Sequence, residues 1–270
     1  MRAIRHRTAT LCILASLIAA TPAAADCSNT GSFATWLSGF EKDAIAQGIS
    51  RRVVAEALDG LTFDPRVIKF DRRQGVFSQT FLEFSGRMVS GYRLKIGARK
   101  LKQYADVFRR VEQKYGVPGE VITAFWALET DFGANMGNFS TLRSLATLAY
   151  DCRRPEVFRP QLMDALRVVE RGDLPVSEMV GAWAGEVGQT QFLPKSILLY
   201  AVDGDGNGRI DLNTKADALA STANFLRGHG WQPGAGYQPG QPNFAAIQGW
   251  NAAGVYEQAI AIIGRQIDGG

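Results

Sequence analysis

The chain has 270 residues, 46% of them hydrophobic and 21% charged, a balance that excludes a disordered tract and supplies one sizeable core. Its formal charge of +4 shrinks once the first 25 residues are set aside: they hold three arginines and no acid, and 27 basic side chains remain against 26 acidic ones. No single-sign field is left to favour nucleic acid.

Residues 1–25 read as an export signal. Arg2, Arg5 and Arg7 precede an apolar run, Ala9 to Ala20, and the small residues Ala23-Ala24-Ala25. The run is too short to span a bilayer. Cleavage after Ala25 would release residues 26–270 into the periplasm. Cys12 leaves with the signal, so Cys27 and Cys152 are an even pair in an oxidising compartment. A disulfide between them is predicted, with two free thiols as the alternative. Asp26 argues against lipidation of Cys27, so no stable membrane anchor is expected.

Helical spacing follows through most of the chain. Ser32 to Gly48 carries Phe33, Trp36, Leu37, Phe40 and Ala44 on one side, and Ser50 caps a helix from Arg51 to Leu58. Thr62 to Arg73 reads as irregular around Pro65. Gln79 to Arg87 carries Phe81, Leu82 and Phe84, and one long helix, Val89 to Tyr115, comes next. Pro118 opens a run that is apolar on nearly every side and reaches Glu129, with Gly133 as its stop. Ser140 to Tyr150, Pro160 to Arg171, Lys195 to Ala201, Lys215 to Gly228 and Val255 to Ile267 complete about nine helices. Short strands are expected near Gly133 and over Gln238 to Phe244. A mostly helical single unit is the default.

Glu129 is the one acid near the end of the apolar run, beside Trp126 and Phe132. Burial there would raise its pKa and fit it for general-acid work; the alternative is a side chain turned outward and solvated. The stretch 203–211, Asp-Gly-Asp-Gly-Asn-Gly-Arg-Ile-Asp, follows a calcium-loop pattern. Asp203, Asp205, Asn207, the Arg209 carbonyl and Asp211 take successive ligand positions, with Gly208 at the sharp turn. Thr214 stands where a bidentate acid belongs, which leaves water or Asp217 to complete the shell. Structural calcium is expected, with no organic cofactor; the alternative is a metal-free turn. The stretch 185–194 holds two glycines and two amides, Gln189 and Gln191, suited to sugar hydroxyl and acetamido groups, or else is a structural turn. His229 is the only histidine after the signal, which excludes a multi-histidine zinc site.

Glu129-Thr130-Asp131-Phe132-Gly133, the 185–194 stretch, the Asp203 loop and Trp250-Asn251 with Tyr256 come in the order and spacing of B-family lytic murein transglycosylases. The chain resembles that family over most of its exported length. The resemblance implies an α+β, predominantly α-helical, lysozyme-like fold with a small β element. It implies cleavage of the β-1,4 bond between N-acetylmuramic acid and N-acetylglucosamine, with Glu129 as acid and then base and a 1,6-anhydro ring as product. It places Arg153, Arg154 and Phe158 in the substrate groove, the guanidinium groups facing lactyl or peptide carboxylates; plain surface arginines are the alternative. Gln191, Trp250, Asn251 and Tyr256 match further groove positions. The expected partner is a peptidoglycan strand bound by a monomer, and no wall-binding domain is expected beyond the catalytic unit.

The chain departs from the family pattern at three positions. Trp250 replaces a usual tyrosine, Ala182 a serine and Glu186 an alanine. Glu186 is expected to be a solvated loop acid; turned inward, it would be a second carboxylate favouring hydrolysis. The rival readings are a muramidase, a non-catalytic glycan-binding protein and a calcium-dependent interaction protein.

Overall fold

The computed structural model describes residues 29–73 and 80–268. The export segment and Cys27 lie outside these residues. Thirteen α-helices and one two-stranded sheet are found among them. In chain order the first six helices are α1 (Phe33–Ala46), α2 (Arg51–Leu58), α3 (Pro65–Asp71), α4 (Phe81–Met88), α5 (Gly91–Gln103) and α6 (Ala105–Tyr115). Next come α7 (Gly119–Thr130), β1 (Phe139–Ser140), α8 (Thr141–Tyr150), α9 (Pro155–Arg171) and β2 (Val180–Gly181). The last four are α10 (Pro194–Tyr200), α11 (Lys215–Gly228), α12 (Phe244–Gln248) and α13 (Gly254–Asp268). No helix among the described residues is long and apolar enough to cross a membrane.

The starts of these helices are written in local chemistry. Ser32, Ser50, Ser90, Ser140 and Thr214 each accept a backbone N–H with the side-chain hydroxyl, satisfying a donor that has no partner within the helix. Thr80 and Glu83 close a reciprocal capping box at α4. The organising element is α7, which is buried from Val121 through Ala127 without a break. It packs against α13, α5, α6 and α11, and that all-round enclosure is what its uniformly apolar sequence requires.

Several expectations are corrected. Pro65 does not disorder its segment: it fills the first turn of α3, where its missing N–H is not needed, and Asp64 caps it by accepting from Arg66 N at 3.0 Å. The predicted long helix is two. Tyr104 leaves helical geometry at φ −113°, and its ring packs edge-on to Trp126 at 5.7 Å. The helical pattern resumes on both sides, so periodicity alone does not reveal the break. Helix α9 starts five residues early, at Pro155, and runs through Pro160. Residues 238–243 form turns rather than a strand, and Phe244 already opens α12. Gln238 N bonds the Gln241 side-chain oxygen at 2.8 Å, and buried Asn243 ties the segment to the Gln232 and Ala235 backbone.

The small sheet is antiparallel, with Phe139 opposite Gly181 and Ser140 opposite Val180. Single bridges carry it on from Gly181 to Val187 and from Val187 to Phe192. Gly181 is required by close approach, since a Cβ there would lie 1.9 Å from the Glu186 carbonyl oxygen.

Candidate active site

Helix α7 ends one residue beyond Glu129. Asp131, Phe132 and Gly133 all take left-handed backbone, at φ 52°, 62° and 87°. The helix therefore stops at Thr130 rather than at Gly133. Asp131 N bonds Ala127 O and Phe132 N bonds Trp126 O, which satisfies two terminal carbonyls. The turn is locked from outside by Gln189. Its Oε1 accepts from Trp126 Nε1 at 2.8 Å, its Nε2 donates to Asn213 O at 2.8 Å, and its backbone carbonyl accepts from Thr130 Oγ1 at 2.6 Å. A Cβ at Gly133 would sit 2.2 Å from that Oε1. Gln189 is thus a buried clip, with its amide spent on the protein and not available to a sugar.

Glu129 is half-buried as a residue, while its carboxyl is closely surrounded. The aromatic rings beside it are not those expected. Trp126 points to Gln189, and the groups on the carboxyl come from the C-terminal segment. Trp250 Nε1 donates to Glu129 Oε1 at 2.9 Å, and the Tyr256 hydroxyl donates to the same oxygen. No hydrogen bond reaches Oε2 among the described residues. Burial pushes the carboxyl from an ordinary 4.5 up to about 7; the two donors oppose that rise and the nearby charge of Glu186 adds to it. Burial and the neighbouring carboxylate also hold the Tyr256 hydroxyl well above its usual range, so it remains a donor. Trp250 is fixed by Phe125, Phe192 and Phe225, at centroid distances of 4.9, 5.1 and 4.8 Å.

Glu186 is not a solvated loop acid. Burial raises its pKa, and Oε2 accepts from Ala184 N at 3.1 Å. The expectation failed because a lone acid in a glycine-rich stretch gives no sign of which way it faces.

Trp250 is also a wall of a cavity of about 420 Å³. Gln191, Phe192, Lys195, Tyr200 and His229 share its lining. Gln191 has positive φ, and its Nε2 donates to Gly188 O at 2.8 Å and Met136 O at 3.3 Å. The sequence gives no sign that Lys195 and His229 line this cavity; neither belongs to a motif, and only the packing of α10 against α11 places them together. Asn251 Oδ1 accepts from Ala253 N at 3.0 Å, in the turn just before α13.

Arg153, Arg154 and Phe158 belong to a different cluster. Arg153 Nη1 donates to the Asp71 backbone and side chain at 2.6 and 2.7 Å, and Arg154 pairs with the other oxygen of Asp71. Arg72 joins Asp71 to Asp151. Phe158 is buried, and the Arg154 guanidinium lies 5.1 Å above its ring.

In the acidic loop, Asp203, Asp205 and Asp217 bring carboxylate oxygens within 4.8 Å of one another. None of the three is ion-paired with an arginine or lysine among the described residues. Burial and the charges of Asp205 and Asp203 raise the pKa of Asp217. Thr214 instead serves α11 as its cap, and its hydroxyl donates to the Asp211 carbonyl at 2.9 Å. Asn207 Oδ1 accepts from Arg209 N and Asp211 Oδ1 from Asn213 N.

The family described as "Transglycosylase SLT domain" matches residues 32–241. Membrane-bound lytic murein transglycosylase B of Escherichia coli (strain K12) is 36% identical over 172 residues, which are 60% of this chain and 47% of that one. The chain thus spans about half the length of this curated relative. The crystal structure of SltB3 from Pseudomonas aeruginosa with NAG-NAM-pentapeptide superposes with a TM-score of 0.83 at 31% identity, over 89% of this chain and 81% of that one. Escherichia coli Slt35 in complex with calcium superposes at 0.74, with 27% identity over 86% and 92%. The predominantly helical, lysozyme-like fold with its small β element is the fold of these proteins.

Proposed function

The chain belongs to the transglycosylase SLT-domain family, and from that premise we propose that it is a lytic murein transglycosylase acting on peptidoglycan glycan strands in the periplasm. The observation that carries this reading is Glu129: a carboxyl held at about 7 by burial, with both neutral donors on one oxygen. Occupation of Oε1 by Trp250 and Tyr256 leaves Oε2 to hold the proton. In the first step Oε2 gives that proton to the glycosidic oxygen, and the bond to muramoyl C1 breaks. In the second, the resulting carboxylate takes the proton of the muramoyl C6 hydroxyl. Its oxygen closes on C1 as a 1,6-anhydro ring. Glu129 ends protonated and no water is consumed. One carboxyl thus performs both tasks, unlike the paired acids of ordinary glycosidases.

The cavity beside Trp250 offers aromatic walls for a sugar ring, with Gln191 at its edge. The Asp203 loop would hold a structural calcium ion. Asp203, Asp205 and Asp217 supply hard, close-set oxygens, and such a set fits that metal. Calcium there would tie α11 to the loop; isothermal titration should register binding, and no heat at millimolar calcium would reject it. The Cys27–Cys152 disulfide belongs to the same reading. Asn29, two residues from Cys27, accepts from Cys152 N at 2.8 Å, which brings the start of the described chain to that point.

Mass spectrometry of murein digested by the purified protein tests the activity. Anhydromuropeptides are expected, and reducing-end muropeptides alone would overturn the reading in favour of hydrolysis. Desolvated Glu186 is the observation that keeps hydrolysis as the second reading.

A further inference from the structure

Glycines aside, positive φ occurs among the described residues at Asp131, Phe132 and Gln191 alone, at 52°, 62° and 57°. Side chains in that backbone region cost energy, and they persist only where the surrounding structure over-determines them. All three positions belong to two turns that one side chain joins. Asp131 and Phe132 form the turn directly after Glu129 and Thr130. Gln191 closes the second turn, its N–H bonding Gly188 O at 3.2 Å. Gln189 lies inside that second turn and reaches across to the first.

The grip of Gln189 on α7 spans a single helical turn. Its Oε1 holds Trp126 and its carbonyl holds Thr130, and Glu129 lies between those two residues. The Thr130 hydroxyl also accepts from Gly133 N at 2.9 Å, which closes the strained turn from within. Trp250 and Tyr256 meet the same helical turn through the Glu129 carboxyl. Gln189 is itself anchored behind. Its N–H bonds Leu212 O and its Nε2 bonds Asn213 O, each at 2.8 Å. The approach is close enough to require glycine next door, since a Cβ at Gly188 would lie 2.5 Å from Leu212 O. Gln189 is 2% exposed, and its two backbone and two side-chain polar atoms all have protein partners. It has no hydrogen bond to Glu129, so any effect on that carboxyl passes through α7.

We infer that Gln189 is a positioning residue of the reaction. By gripping Trp126 and Thr130 it holds the 131–132 turn in its strained form, and with it the Glu129 carboxyl against Trp250 and Tyr256. This rests on the transglycosylase reading for the chemistry that the carboxyl performs. Without the grip the turn relaxes, the last turn of α7 frays, and the acid loses its register with the glycosidic oxygen. A displacement of about one ångström at a reacting group costs up to ~10²-fold in rate.

The test uses the purified 15N-labelled protein and soluble murein glycan strands. Gln189→Leu keeps the bulk and removes the amide. It should lower kcat about tenfold or more, with KM within about twofold of wild type. The indole N–H resonance of Trp250, which bonds Glu129 and not Gln189, should move toward its position in Glu129→Ala. An unchanged kcat overturns the inference, and a raised KM beside it would mean that the amide holds sugar. A Trp250 resonance that stays in place overturns it whatever the activity does. Thr130→Val serves if Gln189→Leu fails to fold. It removes the hydroxyl that bonds the Gln189 carbonyl and should repeat both effects more weakly, while Thr130→Ser restores them. Equal behaviour of the valine and serine variants counts against the inference. The Trp250 resonance reports on the turn whether or not murein is cleaved. A protein that cuts nothing but shows the displaced indole would sink the proposed function and leave the positioning role standing.

Discussion

Two buried carboxyls in this molecule have opposite fates. Asp71, 1% exposed, is pulled upward by burial, but the guanidinium groups of Arg153 and Arg154 overcome that and hold it below its usual range. Glu129 meets the same upward pull with an indole and a phenol as its donors, no cation paired to it and the charge of Glu186 adding to the rise, and it reaches about 7. Burial alone thus does not decide whether an acid becomes a salt-bridge anchor or a proton donor. The charge of the partner does. Formal cations keep Asp71 ionised to lower pH than an ordinary carboxyl and make it structural, whereas neutral donors leave Glu129 free to exchange its proton.

The sharpest way to break this contrast is Glu129→Gln. It should lower murein cleavage by ~10³-fold or more, the upper range for a positioned general acid, while retaining glycan binding in pull-down. Full activity in this variant would move the chemistry elsewhere. Asp71→Ala attacks the other pole. It leaves three guanidinium groups without their shared anion, and because those are 31–40% exposed the loss should be about 2–4 kcal/mol in denaturant unfolding. The basic limb of activity should not move. A shifted limb would tie the arginine cluster to the acid.

A third measurement compares the poles by pH. The folded pKa of Glu129 is raised above its unfolded value of 4.5 to about 7, so the native state binds more protons in that window. Its contribution to stability is full below about 4.5 and falls as pH rises toward 7, by about 3 kcal/mol in all. Asp71 works in the opposite sense: its depressed pKa gives stability that is lost as pH falls through the folded value. Wild type should therefore lose stability between pH 4.5 and 7 relative to Glu129→Gln. Parallel curves for the two proteins would rule out the burial argument.

How much of this was legible in the sequence follows from which interactions are local. Helix α11 has the bounds expected, Lys215 to Gly228, because Ala218, Leu219, Thr222, Ala223 and Leu226 set its period within the element; the cap made by Thr214 was read instead as part of the metal loop. Glu129 was recognised because an acid closing an apolar run is a local anomaly. The family motifs added its role. Its partners were a different matter. Trp250 and Tyr256 lie more than 120 positions away, and only the resemblance put them in the groove. That resemblance did not say that both donate to one oxygen. Gln189 misled for the same reason: an amide reads alike whether it meets a sugar or a buried indole. Arg153 and Arg154 were legible as cations, but Asp71, 82 residues earlier, was not visible as their partner.

The mildest probe is Tyr256→Phe, and its value lies in the sign. The hydroxyl donates to Oε1 and so favours the ionised form of Glu129. Removing it, with Trp250 still bonded, raises the proton affinity of the carboxyl. Activity that needs the protonated form should persist to higher pH, while kcat at the optimum falls a few-fold because the acid is held by one donor instead of two. Glu186→Gln should move the limb the other way, since it removes a like charge. The two shifts should cancel in part when combined, as expected for groups acting on one carboxyl. A Tyr256→Phe limb displaced to lower pH would mean that the hydroxyl serves the neutral acid. The enzyme would then keep its proton through the hydrogen bond and not through the absence of a cation.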